Sequence, residues 1–256
     1  MIRCDPNVSF AAKKPNERPV KKLLPFSALG RRSLMMGAVL LPAPSQADAA
    51  VPQPLASNLV VASRRLWNGR DCLSVELAED EQEGRLRKTR SANAPSFAVV
   101  HRDFADGVIE VDIGAELTGR GAPDARGFAG LSFHIDRDLQ THESVYLRMS
   151  NGRLNRPTPA PPRIDRAIQY VAHPDFHFAI SREKYPGRYE KGANIALGRW
   201  HRFRLEIEGP RLRALIDGAE ALAVDDLHYA GRRGAIGLFV DDGSRGFFTN
   251  FGILVA

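Results

Sequence analysis

Between residues 200 and 217 apolar and polar side chains alternate one for one, and this period limits the backbone more than any other feature of the chain. His201, Phe203, Leu205 and Ile207 fall on one side, with Trp200, Arg202, Arg204, Glu206 and Glu208 on the other. Gly209-Pro210 turns the chain. Leu212, Ala214 and Ile216 then alternate against Arg211, Arg213 and Asp217, and Asp217-Gly218 turns it again. A period of two marks a strand with one buried face, whereas a surface helix repeats every 3.6 residues. Strand-like runs recur at 107–113, 127–136, 143–149, 166–171, 234–240 and 246–254, punctuated by Gly, Pro, Asp and Asn. No sustained helical period and no internal repeat competes with them. The expectation is an all-β domain, a sandwich of two packed antiparallel sheets. Pro157, Pro159, Pro161 and Pro162 make 151–165 a loop, because proline cannot donate to a strand ladder. Much of 181–194 also reads as loop.

Residues 50–256 are enough for one such domain with a sizeable core. Residues 1–49 read differently. A basic polar stretch ends at Arg31-Arg32, a short apolar run covers 34–41, and Ala47-Asp48-Ala49 offers a cleavage site. Paired arginines before a modest apolar segment predict an export signal of the twin-arginine kind, and so a periplasmic or secreted protein. The apolar run is far too short for a membrane span, which needs roughly 18 residues or more.

Position also resolves the charge. The chain carries 36 Lys/Arg and 30 Asp/Glu, but eight of the bases and only three of the acids lie in 1–49. The domain keeps 28 bases against 27 acids, a balance without the basic excess of a nucleic-acid binder. Cys72 is alone in 50–256, and no Cys/His cluster has zinc spacing. His173 and His177 are kept off one helix face by Pro174, so no metal ligands are assigned.

Alternation also selects the exposed side chains. Leu131, Phe133 and Ile135 should point to the core, leaving Ser132, His134 and Asp136 outward. Val145, Leu147 and Met149 should be inward, with Ser144, Tyr146 and Arg148 outward. One of Gln169 and Tyr170 joins them. Aromatic rings present a flat apolar plate to the C–H face of a sugar, and Arg, Asp, Glu and Gln offer planar forks to its hydroxyls.

The order of short motifs adds a resemblance. Phe104-Ala-Asp-Gly107 through Asp112, Gly127-Phe128-Ala-Gly130-Leu-Ser-Phe133, Glu143-Ser-Val-Tyr146-Leu-Arg148 and Arg166-Ala-Ile-Gln169-Tyr170 come first. Tyr189-Glu190, Gly198-Arg-Trp200-His201, Gly234-Ala-Ile-Gly237 and Gly246-Phe247-Phe248-Thr-Asn250-Phe251 follow. Over roughly residues 95–255 this series resembles concanavalin A-like lectin and glucanase domains, most closely the 3-keto-disaccharide hydrolase-like domain family. The resemblance implies a two-sheet jelly roll whose concave sheet holds a carbohydrate. Related sandwiches sometimes bind calcium, but Asp241-Asp242-Gly243-Ser244 lacks the spaced oxygens of a calcium loop and reads as a β-turn; no cofactor is assigned.

Glucanases of this fold set their carboxylates on one strand as Glu-x-Asp-x-Glu. Here Glu110-Val-Asp112-Ile-Gly114 has glycine in the last place, so Glu110 and Asp112 read as ordinary outward residues of an edge-like strand. The expected function is sugar recognition by Glu143, Tyr146, Arg148, Gln169, Tyr170 and Glu190, with His134 and Asp136 on the same surface. An alternative is hydrolysis of simple or 3-keto disaccharides, with Glu143 and Glu190 as the acid/base pair. A third is an adhesion or scaffold module.

Overall fold

The computed structural model describes residues 51–91 and 93–255; the expected export signal at 1–49 lies outside them. The elements, in chain order, are β1 (Ala56–Asn58), β2 (Val60–Trp67), β3 (Arg70–Leu77), α1 (Glu79–Leu86), β4 (Phe97–Phe104), β5 (Gly107–Leu117), β6 (Phe128–Ile135) and β7 (His142–Arg148). Then come β8 (Ile168–His173), α2 (Phe178–Lys184), β9 (Glu190–Lys191), β10 (His201–Glu208), β11 (Arg211–Ile216), β12 (Ala219–Val224), β13 (Gly234–Val240) and β14 (Ser244–Val255). They form two seven-stranded antiparallel sheets, ordered β1-β4-β13-β6-β7-β8-β9 and β12-β11-β10-β5-β14-β3-β2. This is the expected jelly-roll sandwich.

The alternation that suggested it is obeyed residue by residue. His201, Phe203, Leu205 and Ile207 of β10 and Leu212, Ala214 and Ile216 of β11 are all buried. The apolar ones, from Phe203 to Ile216, meet Leu131, Val145, Ile168 and Leu238 of the facing sheet in one continuous core. Burial of that area is the chief favourable term in the fold, and the period-two pattern is what brings it to one face.

Three features differ from expectation. The segment 181–194 begins inside α2, which His177 caps by accepting from the Ala179 amide; Pro186 follows the helix, as a residue preceding proline favours extended backbone. The N-terminal strands β1 to β4 and helix α1 carry no clear period and escaped the sequence reading. Most informative is β5, which lies in mid-sheet between β10 and β14 instead of at an edge.

Glu110 and Asp112 do face outward from β5, but into a lattice of guanidiniums. Arg202 and Arg204 hold Glu110, and Arg70 and Arg202 hold Asp112. Gly114 completes the account. A Cβ there would sit 2.4 Å from the indole of Trp67, which stacks on Phe247 with ring centroids 4.2 Å apart. The glycine that interrupts the carboxylate motif is the space that this indole occupies. Cys72 packs beside the same rings, and its burial, with Asp71 next to it, pushes the thiol up to about 11, far from a nucleophile's range.

Gly114→Ala should therefore destabilise the domain by about 1–3 kcal/mol through overpacking. Gly252→Ala, whose added carbon would meet only Glu110 at an ordinary 3.7 Å, should cost far less. Urea unfolding of the two variants compares them directly; equal midpoints would remove the packing explanation.

Candidate functional site

Strand register on the first sheet assembles the candidate site. Phe97 pairs with Phe239, Phe239 with Gly130, Gly130 with Tyr146, Tyr146 with Gln169, and Gln169 with Glu190. Cross-strand partners share a face, so these six positions form one row across the side of the sheet that faces away from the sandwich core. Gly130 is the gap in that row. The Tyr146 and Phe239 rings stack over it with centroids 5.1 Å apart, and a Cβ on Gly130 would run into Tyr146 at 2.6 Å. The aromatic pair floors a cleft of about 260 Å³ that is also lined by Ser144, Arg148, Phe178 and Arg182.

Glu190 anchors the far end of the row. It is buried, and three guanidiniums converge on its carboxylate. Arg182 from α2 binds it through Nε and Nη2 at 2.8 and 2.6 Å, Arg166 approaches to 3.3 Å, and Arg148 of β7 lies 3.7 Å away. Arg148 also donates to the Tyr146 hydroxyl at 3.0 Å and to Gln169 Oε1 at 3.3 Å. Its guanidinium stands 5.0 Å from the centre of the Tyr146 ring, and that of Arg182 4.9 Å from the Phe178 ring. Gln169 spends its amide on the Tyr170 and Tyr189 carbonyls. Gln169, not Tyr170, is thus the partner of Tyr146 on this face.

The remaining expected site residues lie elsewhere. Tyr170 points into the core between the sheets. Glu143 is fully buried on that same side, where the Tyr170 hydroxyl donates to its Oε1 at 2.5 Å and His134 Nδ1 meets its Oε2 at 2.6 Å. Parity explains this. Glu143 is one residue from Ser144 and three from Tyr146, and odd separations on a strand lead to opposite faces. The pairing of Glu143 with Glu190 across one substrate is therefore corrected: the two carboxylates occupy opposite faces of one sheet.

The orientation of His134 is corrected too. Its φ of +51° breaks the alternation near the end of β6. His134 turns inward, with its Nε2 2.8 Å from the Ala105 carbonyl oxygen, and Ile135 turns out to pack against Phe97 and Val99. Asp136 follows in the β6–β7 turn, where it is exposed and its backbone closes the turn with Thr141 and Leu139. It lines a separate hollow beside Arg233 and Leu139.

Other residues of the cleft were missed from sequence. Phe178 and Arg182 sit one helical turn apart on α2, a spacing visible in the sequence once 178–184 is taken as helix. Arg126 and Asp241 come from loops and Arg163 from a single 3-10 turn, Arg163–Asp165, and none carries a periodic signal. Asp241 opens the turn expected at 241–244, closed by the Ser244 amide donating to the Asp241 carbonyl at 3.1 Å. Burial pushes its carboxyl up, while Arg85 and the Asp242 amide oppose the shift.

Helix α1 fixes that turn from behind. Arg85 binds Asp241, Gln82 Nε2 donates to Asp242 Oδ1 at 2.5 Å, and the Gly243 amide donates to Gln82 Oε1 at 2.9 Å. The helix is anchored in turn by Glu81, which accepts from Arg85 at 2.8 Å and Arg90 at 2.6 Å. Among the described residues no cluster of three or more His, Cys, Asp or Glu could hold a metal, and no helix is long and apolar enough to cross a membrane.

The chain matches no family model and no curated protein. Among solved structures it is similar to the carbohydrate-binding module CBM66 from Bacillus subtilis, at 15% identity over 75% of this chain and 92% of that one, with a TM-score of 0.44. A Bacillus subtilis protein of unknown function with a galectin-like fold gives 13% identity, 80% and 97% coverage, and a TM-score of 0.44. A Bacteroides ovatus mixed-linkage glucan GH16 protein, solved with a G4G4G3G product, gives 13%, 75% and 85%, and 0.42. The likeness is one of architecture; no residue role is carried across.

Two measurements check the electrostatics. Glu143→Gln should lower stability in urea by about 1–3 kcal/mol, because a buried acceptor of the Tyr170 hydroxyl and of His134 is replaced by a donor at one position; an unchanged midpoint would show that Glu143 is not bound as described. At Glu81 burial works to raise the carboxyl, but the Arg85 and Arg90 hydrogen bonds outweigh it and hold it below its ordinary 4.5. An acid depressed in the folded state stabilises at pH above its unfolded value, and that stability disappears as pH falls through the lower folded value. Glu81→Gln should therefore cost most stability near neutrality and progressively less as the pH falls below 4.5, a smaller acid dependence than the parent shows.

Proposed function

We propose that the domain recognises a carbohydrate in the cleft on the outer face of its first sheet. The observation that carries this reading is the registered row in which Tyr146 and Phe239 form an apolar floor and Arg148 projects a fixed guanidinium beside it. A ring floor flanked by planar donors matches the alternating C–H and hydroxyl surfaces of a pyranose. Arg148 is pre-oriented by Gln169, Tyr146 and Glu190, so little side-chain entropy is left to lose on binding. Phe178, at the mouth of the cleft, is 36% exposed and supplies a second plate.

Recognition fits these groups better than turnover. Retaining or inverting hydrolysis needs two carboxyls facing one sugar, one of them able to donate a proton. Of the expected pair, Glu143 faces the core and Glu190 is engaged by three guanidiniums. Of the two carboxyls that do border the cleft, Asp241 is held by Arg85 and Asp124 is largely in solvent beside Arg126.

A glycan array followed by calorimetry tests the proposal. Phe178→Ala should weaken binding about tenfold, the scale of one lost aromatic contact. Leu66→Ala, which alters an exposed residue of the other sheet, should bind like the parent. Absence of any glycan binding, or equal losses in the two variants, would overturn the reading.

A further inference from the structure

The charge around the cleft says more about its ligand than the rings do. Arg126, Arg148, Arg163, Arg166 and Arg182 all border it, against two acids, Asp124 and Asp241. These acids leave much of that charge unmatched. Asp241 is bound from behind by Arg85. Asp124 is 81% exposed and reaches Arg126 only at 3.8 Å. Glu190, at the far end of the row, is one carboxylate shared by three arginines. Arg163 has only neutral oxygens in its described bonds: Asn151 Oδ1 at 3.0 Å, Ser150 Oγ at 3.1 Å and the Ser150 carbonyl at 3.5 Å.

His142, which also lines the cleft, adds no positive charge to it. His142 is driven down to about 3 by burial and by neighbouring His173, so it is neutral under ordinary conditions. The guanidiniums press on one another instead: Arg126 is held below its ordinary value first by burial and then by Arg163 and Arg148. Cations gathered without enough anions, partly out of water, gain most from a ligand that brings negative charge. The guanidinium fork matches the two oxygens of a carboxylate or sulfate.

We propose that the saccharide bound in this cleft is anionic, with its carboxylate or sulfate group directed to Arg126 and Arg163. The inference rests on the sugar-binding reading above, and it specifies the substrate class within it.

Matched pairs of ligands separate the two claims. Binding of oligogalacturonate is compared with that of its uncharged methyl ester, and a sulfated galactan oligosaccharide with its desulfated form, by calorimetry in low and high salt. At least one charged member should bind about tenfold or more tightly than its neutral partner, with the advantage shrinking as salt rises. Whichever pair shows the difference identifies the anion as carboxylate or sulfate. Arg163→Ala should shrink the charged-to-neutral ratio, Arg163→Lys should restore part of it, and circular dichroism confirms that both variants are folded. Equal affinity within both pairs overturns the anionic preference while leaving sugar recognition standing, and failure of every oligosaccharide to bind overturns both. Displacement of the charged sugar by an equal concentration of inorganic sulfate would show an ion site without saccharide recognition and would also overturn the proposal.

Discussion

A buried carboxylate is costly unless cations and hydrogen-bond donors surround it, and the cleft is organised by how this chain surrounds Glu190. Its three partners come from different parts of the fold: Arg148 from β7, Arg166 from the segment leading into β8, and Arg182 from α2. One negative charge therefore ties a central strand, a long loop and a surface helix to the short strand β9. The hydrogen bonds of Arg148 continue the network inward to Tyr146 and Gln169. Tyr146 and Gln169 are thereby tied to the same junction.

The scaffold on which this happens was largely legible in the sequence. Every strand-like run from 107 onward corresponds to a strand. In β10 and β11, which keep one wet face, the period of two needs no tertiary knowledge, whereas β6 and β7 are buried on both faces and show it only as apolar against polar side chains. The N-terminal quarter was not legible. Helix α1, of sequence Glu-Asp-Glu-Gln-Glu-Gly-Arg-Leu, buries Glu81, Gln82 and Arg85, so its inward face is polar and a search for an apolar stripe passes over it. Its role becomes visible only when the Asp241–Asp242 turn that those side chains hold is placed beside it.

The site was half legible for a related reason. Tyr146 and Arg148 share a face because β7 keeps its parity; Gln169, which alternation alone leaves open against Tyr170, joins them, and Glu190, expected from its motif within a loop, ends the same row. All four were expected on an exposed face and are instead buried beneath α2 and the flanking loops or within the cleft. His134 was misplaced by a single residue of left-handed backbone, which turns it inward and sends Ile135 outward. Glu143 was assigned to the site because its motif was conspicuous, although alternation alone sets it on the opposite face from Tyr146. Asp136 failed for want of strand, since β6 ends at Ile135. Arg126, in a loop, and Arg163, in a single 3-10 turn, could not have been found by any periodic argument. Their convergence is a product of the fold.

That convergence also bears on how the two sheets divide their work. Both outer faces are rich in arginine, yet they differ in balance. On the second sheet Arg202 and Arg204 bridge Glu110, Asp112 and Glu206, and Arg213 bridges Glu206 and Glu220; acids and bases alternate there, and the face is close to self-neutralised. On the first sheet arginines outnumber the acids, and the rings they surround are floored by a glycine. A balanced ladder of exposed ion pairs contributes little to stability and keeps an open sheet face well hydrated. An unbalanced cluster over an aromatic floor stores electrostatic repulsion that a bound anion would relieve. The difference between the two faces is therefore one of charge balance across neighbouring elements: paired along the second sheet, and left in excess around the cleft of the first.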